Sequence, residues 1–167
     1  MDENTPKITP QVTAGKAEEP TLLDQLKAVI AKKVERPNVF IEVPERPGVK
    51  LLVSPNLTQA QIRNWQKQCG SETQKGLDST KFACTVVGHA TKGVFFQGQE
   101  VLDDSWPVGF ASKPILDMTG TDRAIPDAVQ KFFGIDAHVE AAALAIIDAC
   151  GFGDTIQAEA TENPTKN

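Results

Sequence analysis

Apolar positions recur at helical spacing near both ends of the chain and gather into short runs in its middle. In "TLLDQLKAVIAKKV", Leu22, Leu23, Leu26, Val29 and Ile30 share one face of a helical period. Thr21, after Pro20, stands where an N-cap belongs, so an amphipathic helix docked by that stripe is predicted. "NVFIEV" and "VKLLVS" are β-rich runs joined by "PERPG", the pattern of a hairpin. Thr58 with Gln61 three residues later forms a capping-box signature, followed by Ile62, Trp65 and Cys69 on one face and a stop at Gly70. "STKFACTVV" fits a buried helix or a strand. Asp78 or Ser79 supplies a helix cap, Thr85, Val86 and Val87 favour a strand, and helix is the preferred reading over 79–88. "GVFFQGQEVL" predicts a hairpin turning at Gln97 and Gly98, and "WPVGFAS" a short extended edge interrupted by Pro107.

From "SKPILDMTG" the pattern is helical again. Thr121 or Asp122 is placed to cap "RAIPDAVQKFF", Gly134 to end it, and Asp136 to cap the next helix. There Val139, Ala142, Ala143, Ile146, Ile147 and Cys150 make one apolar stripe, closed by a left-handed Gly151. Residues 1–20 and 156–167 hold few large apolar groups and are predicted to be disordered arms flanking one domain over 21–155. The fold class expected is α+β, a small antiparallel sheet or hairpins packed with about four to five short helices.

Composition narrows the partners. A length of 167 residues with 40% hydrophobic content suits one domain with one modest core. The excess of 22 acidic over 17 basic side chains, a formal charge of -5, repels a phosphate backbone unless the cations share one face. The densest basic group, Lys32, Lys33 and Arg36, falls at the end of the first helix, where cations complement the negative terminus. Trp65, beside Arg63 and Lys67, has core spacing and reads as packing rather than base stacking. No nucleic-acid partner is expected. Cys69, Cys84 and Cys150 are odd in number and widely spaced, which points to a reducing cytoplasm rather than a disulfide framework. "MDENTPKITPQVTAGKAEEP" lacks the basic start and apolar centre of a signal peptide, and no apolar run approaches bilayer length. A soluble intracellular protein with no membrane partner is the expectation.

Catalytic chemistry has little support in the chain. His89, expected in a turn, and His138, in a first helical turn, have no metal ligand at helical spacing and read as structural groups. Asp103 and Asp104, with Glu100 nearby, lack the alternating ligands and central glycine of a calcium loop and read as a solvated turn. No Gly-rich phosphate loop and no nucleophile elbow occur, and Ser105 and Ser112 have no neighbouring His. No catalytic residue, cofactor or metal is assigned, and no enzymatic role is expected.

The order of elements carries a resemblance. "VFIEVPERPGVKLLV", "LTQAQIRNWQK", "LDSTKFACTVVGHATKGVFFQGQEVLDD", "WPVGFASKPILDM" and "DAVQKFFGIDAHVEAAALAIIDACGFGD", followed by a polar tail, resemble the tail assembly chaperones of long-tailed bacteriophages, especially those infecting actinobacteria. The closing "AVQKFFG.D … ACGFGD" is the most specific part, and the resemblance covers about Val39 to Thr155. It implies a non-enzymatic protein of the host bacterial cytoplasm, not expected in the mature virion. Such a protein binds the tape measure protein and helps tail tube subunits assemble around it, with self-association among its copies. Such chaperones are typically made in a short and a longer frameshifted form. Here Thr165, Lys166 and Asn167 can be encoded as ACA AAA AAC, which contains a slippery heptamer. A chaperone must cover apolar helical surface, so Trp106, Phe110, Phe132, Phe133 and Phe152, near turns and helix ends, are the candidate partner contacts. The alternatives are a structural head-tail or tail-tip component, and a small hydrolase whose groups converge only in three dimensions.

Overall fold

The computed structural model describes residues 19–152, and the chain divides into two units at the Glu35–Arg36 boundary. The first unit holds α1 (Leu22–Ala31). The Thr21 hydroxyl accepts from the Asp24 N–H at 3.0 Å and the Asp24 carboxylate accepts from the Thr21 N–H at 3.2 Å, a reciprocal cap that satisfies two donors otherwise unpaired at a helix start. The predicted helix is therefore present, and Leu22, Leu23, Leu26, Val29 and Ile30 of its stripe are all exposed. Of the residues expected in one domain over 21–155, α1 falls in the first unit and the α+β fold in the second. The arms expected over 1–20 and 156–167 lie almost wholly outside the described residues.

The second unit is an α+β domain. Strands β1 (Val39–Glu42), β2 (Val49–Val53), β3 (Thr91–Phe96) and β4 (Gln99–Glu100) form an antiparallel sheet in the order β1-β2-β3-β4. The β1–β2 hairpin closes through "PERPG" as predicted, with Glu45 and Gly48 at positive φ. At the β3–β4 turn Gln97 and Gly98 both have positive φ, 51° and 83°, the tight geometry whose twist matches the strands it joins. A smaller hairpin, β5 (Leu102–Asp103) with β6 (Trp106–Pro107), turns at Asp104 and Ser105, and contains the edge expected near Pro107.

Two helices separate β2 from β3. In α2 (Gln59–Gln68) the Thr58–Gln61 capping box forms as predicted, and Trp65 and Cys69 are buried. The ambiguous segment is helix α3 (Ser79–Ala90), capped by Asp78, whose carboxylate accepts from the Lys81 N–H at 3.1 Å. The Thr85 hydroxyl donates to the Lys81 carbonyl at 2.8 Å, so this β-prone residue is buried without an unpaired polar atom. His89 lies in the last turn of α3 rather than in the turn expected for it.

Helices α4 (Lys113–Thr119), α5 (Asp127–Phe133) and α6 (Asp136–Ile147) complete the domain, and left-handed Gly120 and Gly134 end the first two. Two expected caps are corrected. Thr121 and Asp122 do not cap α5, which starts only after Pro126, because a proline disfavours the helical region for the residue before it. Asp136 is the first residue of α6 rather than its cap, and its carboxylate accepts from the Gln130 side chain at 3.0 Å. Val139, Ala142, Ala143 and Ile146 of α6 are buried as predicted, with Ile147 and Cys150 half-buried. Gly151 follows at φ 91°.

One core joins these layers. Leu51, Val53 and Val94 from the inner sheet face pack in the same cluster as Ala83, Val86 and Val87 of α3 and Val139, Ala143 and Ile146 of α6. The Glu140 carboxylate of α6 accepts from the Ser79 and Thr80 hydroxyls at 3.2 and 2.9 Å, tying α6 to the start of α3. Strand alternation sends the other residues outward. Phe40, Leu52 and Gly93 form one cross-strand row there, and Glu42, Lys50, Phe95 and Glu100 the next.

Candidate partner-binding surface

The predicted aromatic contacts divide between core and surface. Gly134 ends α5 directly after the two phenylalanines, so the helical step sends Phe133 inward, 1% exposed, and leaves Phe132 half-buried beside it. Phe110, also expected at the surface, is 2% exposed and meets Phe132 edge to face at 5.1 Å. Phe110 and Phe133 therefore present no surface to a partner. Each belongs to the core, and burying such a side chain contributes about 1.5–3 kcal/mol.

Phe132 forms one wall of a surface cavity of about 370 Å³ lined by Arg46, Val49, Met118, Thr119, Lys131 and Phe132. Arg46 comes from the β1–β2 turn, and its Nε donates to the Phe132 carbonyl at 3.0 Å. This places a guanidinium on the unpaired carbonyls at the C-terminal end of α5, where a cation is favoured. Val49, Met118 and Phe132 supply apolar walls, Arg46 and Lys131 supply two cations, and among the described residues no carboxylate lines the cavity. That chemistry suits an apolar side chain flanked by an acidic one. Neither Arg46 nor Met118 was legible as a contact in sequence, since each reaches the cavity from a segment remote from α5.

Trp106 is 74% exposed on the β5–β6 hairpin, and Phe152 is exposed just after Gly151. Neither makes a ring contact with the Phe110–Phe132–Phe133 group among the described residues. Thr165, Lys166 and Asn167 lie outside the described residues.

The remaining chemistry-bearing groups have structural surroundings. His89 stacks on Trp65 with ring centres 4.8 Å apart, and burial, then the Lys92 charge, lowers its pKa. His138 occupies the first turn of α6 with its Nδ1 buried and unpaired. Burial, helped by Asp136, Asp127 and Asp78, pushes the Cys84 thiol up to about 12, so it is not a thiolate at neutral pH. Asp104 occupies a turn, and among the described residues no group of three or more His, Cys, Asp or Glu is placed to hold a metal ion. No helix of the described residues is long and apolar enough to cross a membrane. Comparison with protein-family models, curated proteins and solved structures finds no match to this chain.

Proposed function

We propose that this chain is a tail assembly chaperone of a long-tailed bacteriophage, acting in the host cytoplasm on the tape measure protein, and that its role is non-enzymatic. The observation that carries the reading is uncovered apolar surface on a formed helix. Thr21 and Asp24 cap α1, yet its whole apolar stripe is exposed. A helical client exposes apolar stripes of its own, and covering one stripe with another removes both from water. The likeness of "AVQKFFG.D … ACGFGD" to that family supplies the identity of the client. The cavity beside Phe132 and the exposed Trp106 offer further contacts, the first suited to an acidic-apolar pair on the client. A longer product made by frameshifting at the codons of Thr165, Lys166 and Asn167 carries the same domain with an added C-terminal segment.

Co-expression with the tape measure protein of the same phage tests this. The client's soluble fraction rises, and a complex co-elutes in size-exclusion chromatography. The complex persists in about 0.5 M salt, because an apolar contact is not screened. Leu26→Asp with Ile30→Asp weakens it by at least about tenfold. An equally insoluble client with no complex sinks the reading.

A further inference from the structure

The outward face of the four-stranded sheet is apolar at its centre and charged at its margins. Phe40 and Phe95 meet edge to face there, with ring centres 4.9 Å apart, although their strands are separated by β2. The contact is possible because Gly93, in the row of Phe40 and Leu52, has no side chain. A Cβ built on Gly93 would stand 3.6 Å from the Phe95 ring and 3.0 Å from the Glu100 carboxylate. Phe40 is nevertheless 53% exposed, with Leu52 and Phe95 half-buried beside it. This aromatic group lies on the solvent side of a sheet whose other face holds the core, and part of its surface stays uncovered.

Around this centre stand Glu42, Lys50 and Glu100, and Lys92 emerges where the β2–β3 register shifts between Leu52 and Val53. None of the four takes part in a salt bridge among the described residues. Both signs thus occur on one face, and a two-fold axis through it brings Lys50 of one copy to Glu42 or Glu100 of the other. Self-complementarity of this kind is what an isologous contact requires.

We propose that this face binds the same face of a second copy, forming a homodimer in which two sheets pack about 10 Å apart through Phe40, Leu52 and Phe95. Its size sets the strength. Four strands at about 4.8 Å spacing and up to six residues long at about 3.3 Å rise span roughly 19 by 20 Å. Two such faces cover roughly 760 Å² at most, below the ~1,000 Å² of a stable specific interface, so the dimer is weak and reversible. The proposal does not depend on the chaperone reading, because it uses no residue of α1 and none of the cavity beside Phe132.

Sedimentation velocity of the full chain between about 1 and 200 µM tests it, the expected result being a mass that shifts from monomer to dimer across that range. Phe40→Asp weakens the dimer by at least about tenfold while far-UV circular dichroism is unchanged. Should Phe40→Asp fail to fold, the exposed rim decides. Lys50→Glu copies and Glu42→Lys copies each dimerise more weakly alone, and mixing them restores a dimer of one copy of each. A monomer at every concentration overturns the proposal. So does a dimer indifferent to Phe40 and Lys50, or a monomer whose Phe40 and Phe95 resonances shift on adding a single-stranded oligonucleotide, the outcome expected of a base-stacking face.

Discussion

Gly88 lies in α3 against Ile125, and a Cβ built on it would stand 2.6 Å from Ile125 Cγ2. The glycine is there for closeness, since its φ is not in the left-handed region. Gly88→Ala is therefore expected to destabilise the domain by about 1–3 kcal/mol despite alanine's better helix propensity, and urea denaturation measures it. A more stable variant shows that Ile125 can move aside. His89 has a pH signature. Burial against Trp65, and secondarily Lys92, lowers its folded pKa, whereas in the unfolded chain it titrates near 6.5. The unfolded chain therefore binds more protons between the lowered value and 6.5. The His89 contribution is fully present above that window and is lost as pH falls through it. Between about pH 7.5 and 5.5 the urea midpoint of the native protein should fall further than that of His89→Gln. Equal falls would show that His89 is not the group responsible.

Elements of this chain differ in what holds them. Helices α3 and α6 are formed and buried, and each is stabilised by the core it helps build. By contrast α1 has ten residues, a complete capping box and no buried residue. An isolated helix of that length is marginal in water, so α1 depends on a partner surface for any stability beyond its cap. Leu26→Asp with Ile30→Asp should leave the unfolding free energy of the full chain within about 0.5 kcal/mol of native, and thermal denaturation followed by near-ultraviolet dichroism tests it. A larger loss means the stripe is covered in solution. Local chemistry decided most starts and stops, as at Thr58, Asp78, Gly120 and Gly134. It misled at Thr121 and Asp122, where good capping residues are overruled by a proline several positions on.

For the whole molecule, α1 and the outer sheet face are assigned to different partners, so their substitutions should act independently. Leu26→Asp with Ile30→Asp reduces client binding and spares the dimer, while Phe40→Asp does the reverse. Most of the fold was legible in the chain because caps, glycine stops, hairpin turns and apolar periods are local, and a few neighbouring residues suffice to set them. The α+β class, the two hairpins around "PERPG" and Gln97–Gly98, and the buried stripe of α6 were of this kind. The candidate site was legible only in part. Sequence spacing marked Phe110, Phe132 and Phe133 as notable but not that two of them are core and the third a cavity wall, since that depends on Arg46 and Met118 arriving from remote segments. The same holds for Phe40 and Phe95, which meet over Gly93 only because three strands share a register. The amino-acid sequence by itself determined where most helices and strands begin and end, since those choices follow from backbone and side-chain preferences over a few residues. Only the tertiary structure decided which apolar side chains are covered and which face outward, because burial depends on which distant segments come to lie on top.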